Sequence, residues 1–154
     1  MTMKKITILF SVLILASCSK NENCDEVKTA APVSEVNNLR DYLNTNGITT
    51  TEDSRGFFYT INSPGTGDKP TTCSSVTVNY IGKLLDGTTF DSGNNSSFFL
   101  SGLITGWQEG IPLIAPGGKI TLYLPPTLAY GSSGVGSIPA NSNLIFEIDL
   151  VKVN

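Results

Sequence analysis

The chain contains no histidine. That absence removes histidine-based triads, imidazole proton shuttles and histidine metal sites together. Charge is sparse: Asp, Glu, Lys and Arg make up 15% of residues and sum to −3. No basic stripe or block stands out, so there is no nucleic-acid footprint. No apolar run reaches the ~20 residues that a membrane-spanning helix needs; the run Ile6–Leu15 stops well short. Nothing in the residue types calls for a metal or an organic cofactor. What is present is enough to build a core, with 40% hydrophobic residues in 154, a length that suggests one domain plus some extra sequence. The 15 Gly and 8 Pro make the chain turn-rich and argue against an all-helical protein.

Lys4 and Lys5 precede the apolar run, which ends in Leu15-Ala16-Ser17-Cys18. A positive start, a short apolar stretch and small residues before a cysteine read as an export signal. The Leu-Ala-Ser-Cys ending resembles the lipobox of bacterial lipoproteins, whose cysteine thiol is acylated and becomes the new N-terminus. The resemblance implies that residues 1–17 are a signal peptide and Cys18 the lipidation site. It also implies a lipid anchor in the bacterial cell envelope, on a periplasmic or outer-membrane face. One acyl chain alone holds a membrane only marginally, and the lipoprotein form carries more than one. The other reading is an ordinary secretory signal with Cys18 incidental. Cys24 and Cys73 remain. Export permits a disulfide between them, and the spacing equally allows both to stay free.

Residues 18–33 are polar and without periodicity, as expected of a flexible tether. Ser34 then stands as an N-cap, Val36, Leu39 and Leu43 follow at helical spacing, and Gly47 offers a stop. This predicts an amphipathic helix over about Glu35–Asn46, within an N-terminal unit of residues 34–50. Its apolar stripe must cover either its own domain or a second copy. After Gly56 the period becomes that of strands. Phe57–Ile61 is aromatic and β-branched; Val76–Ile81 alternates. Asp86-Gly87 turns the chain and Thr88–Phe90 resumes extension. Lys119–Leu124 and Leu144–Val151 are further strands. Between them Gly106–Ile111 has room only for a short helix, because Pro112 and Pro116-Gly117-Gly118 end it. The body, residues 51–154, is therefore α+β: antiparallel strands around one short helix.

Four blocks occur in order. They are Val76-Thr-Val-Asn-Tyr80-Ile-Gly-Lys-Leu-Leu-Asp86-Gly-Thr-Thr-Phe90-Asp91-Ser92; Phe98-Phe-Leu-Ser-Gly-Leu103-Ile104-Thr-Gly106-Trp107-Gln-Glu-Gly110; Pro116-Gly-Gly-Lys-Ile-Thr-Leu with Leu128-Ala-Tyr130-Gly131; and Ile138-Pro139-Ala-Asn141 with Leu144-Ile-Phe146-Glu-Ile-Asp-Leu150. Together they resemble the FKBP-type peptidyl-prolyl cis-trans isomerases over Arg55 to Val153. The resemblance implies a twisted antiparallel half-barrel sheet wrapped around the short helix, with a substrate pocket between the two. Carried over position by position, Trp107 becomes the pocket floor. Tyr80, Phe90, Leu103, Ile104, Tyr130, Ile138 and Phe146 become its walls, and Asp91 the charged group at the rim. Val135 is the one anchor in the loop Gly131–Ser137. Tyr80, Phe90, Asp91 and Tyr130 take the catalytic roles, and the remainder bind substrate. Taken singly, Trp107, Phe90, Ile104 and Phe146 would read as core, and Asp91 as a turn cap with Ser92.

The implied reaction suits a chain without histidine. Rotation about an X-Pro bond faces a barrier of ~18–20 kcal/mol made of amide resonance, and no bond between heavy atoms breaks. A dry aromatic pocket favours the less polar twisted amide, and each ~1.4 kcal/mol it removes gives tenfold in rate. The implied partners are proline-containing polypeptides, with macrolide inhibitors of the family and help to exported proteins in folding. The alternative is a non-catalytic, FKBP-like chaperone or binding subunit of an envelope complex. One departure bears on both. Ser96 stands where many members carry an aromatic, which thins one wall unless Phe99 or a loop shift compensates.

Overall fold

A computed structural model of the protein describes residues 28–154. The export signal, Cys18, Cys24 and most of the expected tether lie outside the described residues. Helix α1 spans Val33–Thr45. Strands follow as β1 Thr51–Glu52, β2 Phe58–Ser63, β3 Ser75–Leu84 and β4 Thr89–Phe99. Then come helix α2 Thr105–Gly110, β5 Lys119–Leu124 and β6 Leu144–Val153. The strands form one antiparallel six-stranded open sheet in the order β1-β2-β5-β6-β3-β4. The expected α+β sheet around a short helix is the observed architecture.

The period-two pattern divides the sheet into two faces. Val76, Val78, Leu122, Leu124, Phe146 and Ile148 are almost fully buried on one face, together with Trp107 and Ile111 from the α2 side. Phe58, Tyr123 and Ile145 alternate with these and face the other way. They lie side by side, since Phe58 pairs with Tyr123 and Tyr123 with Ile145. Helix α1 covers them with Val36, Leu39 and Leu43. Each such buried side chain contributes roughly 1.5–3 kcal/mol. Polar contacts fix the helix around this stripe. The Tyr42 hydroxyl donates to Leu85 O at 2.8 Å. Arg40 forks onto Glu52 at 2.7 and 3.1 Å and lies over the Phe58 ring. Glu35 accepts from the Thr127 N–H and hydroxyl at 2.9 and 2.8 Å. The helix therefore docks on its own domain.

One local expectation needs correction, and one strand runs further than its residue types suggest. Helix α1 starts at Val33, with Pro32 as its N-cap and no side-chain cap bond, so Ser34 lies inside the first turn. Pro32 has φ −58°, and its carbonyl accepts from the Glu35 and Val36 N–H groups, so the proline sets the helix entry. Gly47, at φ +65°, closes the other end as expected. Strand β4 also runs on through Asn94-Asn95-Ser96-Ser97, which are turn-type residues. Pairing with β3 holds them extended: Ser96 faces Val78 and Ser97 faces Thr77. A bulge between Gly93 and Ser96 absorbs the misfit, with Asn95 at φ +50° and its N–H held by Asn79 Oδ1 at 2.8 Å.

Candidate active site

Helix α2 crosses the concave face of the sheet and carries Trp107 in its first turn. The indole is 4% exposed. It stands nearly perpendicular to three rings: Tyr80 at 5.2 Å, Phe146 at 5.3 Å and Phe98 at 6.1 Å between centroids. Edge-to-face contacts of this kind suit the ring quadrupoles and lock the orientation. Above the indole opens a cavity of about 150 Å³, lined by Tyr80, Asp91, Phe98, Leu103, Ile104, Trp107, Tyr130 and Phe146. Strand β3 supplies Tyr80, β4 supplies Asp91 and Phe98, and β6 supplies Phe146. Leu103 and Ile104 come from the turn before α2, and Tyr130 from the connection between β5 and β6.

Polar groups are few and sit at the rim. The Tyr80 hydroxyl donates to Asp91 Oδ2 at 2.7 Å, and Asp91 Oδ1 accepts the Ser92 N–H at 2.8 Å. Asp91 lies within β4 opposite Gly82, so it caps no turn and serves as the partner of Tyr80. Burial, then the hydrogen bond to Asp91 and its charge, push the Tyr80 phenol up to about 12. Burial, with a smaller contribution from Asp91, also raises Tyr130. Both phenols therefore remain hydrogen-bond donors at neutral pH. The Ile104 carbonyl is occupied by the Trp107 and Gln108 N–H groups, while its own N–H goes to no backbone carbonyl among the described residues. Gln108 Nε2 donates to Leu103 O at 2.7 Å and fixes the turn from below. The arrangement offers a ring-sized hollow lined mostly by aromatic and aliphatic side chains, with donors at its edge. Among the described residues no group of acidic, cysteine or histidine side chains could hold a metal.

Seven of the residues expected in the site line this cavity: Tyr80, Asp91, Leu103, Ile104, Trp107, Tyr130 and Phe146. Phe90, Ile138 and Val135 do not. Phe90 stands behind the wall, edge-on to Phe146 at 5.6 Å, with its ring laid across Gly82. A Cβ at Gly82 would fall 2.6 Å from that ring. Ile138 is buried in the core. Val135 is 58% exposed and forms a small bridge with Ile138. Sequence reasoning missed Phe98 as a lining residue. The signal was the alternation along β4, which puts Ser96 and Phe98 on the concave side. The same alternation turns Phe99 outward, 72% exposed, so it does not thicken the wall beside Ser96.

The pattern of the FKBP-type peptidyl-prolyl cis-trans isomerases matches residues 67–151. The FKBP-type peptidyl-prolyl cis-trans isomerase FkpA of Escherichia coli strain K12 is 46% identical over 104 residues, covering 65% of this chain and 38% of that protein. FkpA of Aeromonas hydrophila is 43% identical over 111 residues, covering 70% of this chain and 41% of its own length. The chain thus spans about two fifths of these relatives. The crystal structure of FkpA from Escherichia coli superposes with a TM-score of 0.72 at 38% identity, over 79% of this chain and 60% of that one. A peptidyl-prolyl cis-trans isomerase from Pseudomonas syringae superposes with a TM-score of 0.70 at 33% identity, over 82% of this chain and 98% of that one.

Proposed function

Because the chain belongs to the FKBP-type peptidyl-prolyl cis-trans isomerases, we propose that it speeds rotation about X-Pro bonds of proteins folding in a bacterial envelope. One observation carries the reading: side chains from three strands, a helix and two connections converge on one mostly apolar cavity around Trp107. The proline ring lies on the indole between Tyr80, Phe98 and Phe146. The planar amide is more polar than the twisted one, so a water-poor site penalises the ground state more than the transition state. A 10⁵-fold gain requires roughly 7 kcal/mol.

The uncommitted Ile104 N–H and the Tyr130 hydroxyl hold substrate carbonyls on either side of the rotating bond. Asp91 keeps the Tyr80 ring in place and presents the site's only negative charge to the carbonyl that turns. Phe90 acts through Phe146, by holding its ring. Ile138 and Val135 shape the loop over the cavity rather than its floor. In this reading Cys18 carries the lipid, the protein works as a membrane-anchored folding helper, and macrolide ligands of the family compete for the cavity. No helix among the described residues is long and apolar enough to cross a membrane.

The test is cis-trans exchange of a proline peptide with the full chain, with and without a macrolide. Accelerated exchange that is blocked by the macrolide and largely lost in Trp107→Ala is the expected result. Unchanged turnover in Trp107→Ala would sink the proposal. Ser96, in a place that often holds an aromatic, favours a second reading as a binding module without turnover. That reading predicts suppression of aggregation of a proline-free client by a chain that leaves exchange rates unaltered.

A further inference from the structure

Strand β4 is one edge of the sheet and one wall of the aromatic cavity. Its pairing with β3 decides which of its residues look inward. Phe98 faces Val76, Ser96 faces Val78, Gly93 faces Tyr80 and Asp91 faces Gly82. These four make the concave row, whereas the Ser97 hydroxyl meets the Thr77 hydroxyl at 2.9 Å on the other side of the sheet. Phe98 and Asp91, the two ends of the row, line the cavity. The middle of the row carries almost no side chain. Tyr80 fills the space above Gly93, where a Cβ would meet the ring at 2.6 Å. Ser96 stands next to it, with Oγ 2.5 Å from that same point, and is half-buried. Phe99 points away to the outside. The wall is therefore open at Ser96, alongside the rings of Tyr80 and Phe98, whose centroids lie 6.2 Å apart.

We propose that this opening is a subsite for the residue after the proline, and that it selects an aromatic side chain there. The inference rests on the proline lying over Trp107, as proposed above. The direction of the substrate comes from the rim. Asp91 and Tyr130 lie together at one end, close enough for the Asp91 charge to act on the Tyr130 phenol. The carbonyl that turns belongs to the residue before the proline, and it is held at that end. At the opposite end β4 runs past Phe98 into the turn that carries Leu103 and Ile104. The Ile104 N–H then takes the proline's own carbonyl. The substrate chain leaves the cavity on the Phe98 side, over Ser96.

The choice of side chain comes from the neighbours. A flat ring laid over the serine meets Tyr80 and Phe98. Perpendicular ring contacts of this kind already hold Trp107 against Tyr80, Phe98 and Phe146. The substrate thus supplies the ring that the wall lacks. An acidic side chain gains no such contact and lies on the same wall as Asp91, whose charge repels it. The thinned wall marks a choice of client rather than a loss of turnover.

The experiment uses the full chain and peptides of the form Ala-Ala-Pro-Z, with Z as Phe, Tyr, Leu, Ala or Glu. Exchange is read by magnetisation transfer, which needs no coupled protease. The expected kcat/KM is about tenfold higher for Phe or Tyr than for Ala, with Glu lowest. In Ser96→Phe that ratio should fall to about one, because the variant's own ring fills the opening. Ser96→Ala should keep the ratio, since the space selects and not the hydroxyl. With the aromatic placed before the proline instead, Ser96→Phe should leave the ratio as it is in the wild type. Equal kcat/KM across the wild-type series would overturn the inference, whatever the variants do. A ratio that survives in Ser96→Phe, folded by circular dichroism, would overturn it as well. Trp107 is the only tryptophan, so its fluorescence reads binding of the same peptides without turnover. Preferred binding of the Pro-Phe peptide without exchange upholds the subsite and removes only the isomerase reading. Exchange without preference does the reverse.

Discussion

Single residues at the cavity rim decide its chemistry, and Tyr80 is the one with a measurable signature. Its phenol, pushed up to about 12 by burial and by Asp91, stays protonated well above the ~10 of a free tyrosine. The folded state therefore gains from the protonated form. That contribution is present in full below pH ~10 and is lost as pH rises towards 12. With no histidine in the chain, turnover should be flat between pH 6 and 9. An alkaline phenolate transition near 12 should vanish in Tyr80→Phe, with kcat/KM down roughly tenfold. Ultraviolet titration and a pH series of the exchange assay check both. Gly93 faces Tyr80 across β3 and β4. A Cβ there would fall 2.6 Å from the Tyr80 ring and 2.5 Å from Ser96 Oγ, closer than real contacts permit. Gly93→Ala should tilt the ring, break the 2.7 Å bond to Asp91 and return the tyrosine transition towards 10, while the fold persists by circular dichroism. A transition that stays near 12 would show that the ring position does not depend on this glycine. The sequence made the cavity residues legible because they recur in an ordered pattern. It hid Phe98 because a turn-like Asn-Asn-Ser-Ser run precedes it, and the bulge that restores its facing is a property of pairing with β3.

Among the elements, helix α1 was the clearest in the sequence and the least connected to the site. Its stripe of Val36, Leu39 and Leu43 reads directly as an apolar face. What it covers could not be read, because Phe58, Tyr123 and Ile145 become neighbours only through strand register. No α1 residue lines the aromatic cavity. Leu39→Ala, at a site with no exposure, should therefore cost about 2–5 kcal/mol of stability. Below the unfolding transition it should leave turnover unchanged. A urea melt paired with the exchange assay tests the separation, and a Leu39→Ala protein that is fully folded yet slow would refute it. The start of α1 was misread for a local reason. A serine two residues after a proline looks like a cap, but the proline's fixed φ already begins the helix two residues earlier.

At the scale of the whole molecule, strand order was the property least visible in the sequence. Each strand except short β1 carries its own β-branched or aromatic pattern, so their existence was legible. Their adjacency was not, because β5 and β6 insert between β2 and β3. Non-local pairing of this kind makes folding slow relative to helical domains. It also has a directional consequence. The last strand, β6, is flanked on both sides, by β5 and by β3, and it contributes Phe146 to the cavity and Leu144, Ile148 and Leu150 to the core. A chain emerging N-terminus first from a narrow pore cannot close this sheet until residue 144 and beyond have passed. The partial product is two unjoined ribbons, β1-β2-β5 and β3-β4, neither with a complete core. A chain stopped after Asn143 should show no cooperative melt, and adding a synthetic 144–154 peptide should restore one. Placing the keystone strand last leaves both partial ribbons open until the C-terminal residues are available, so the fold itself delays its own completion to the end of the chain.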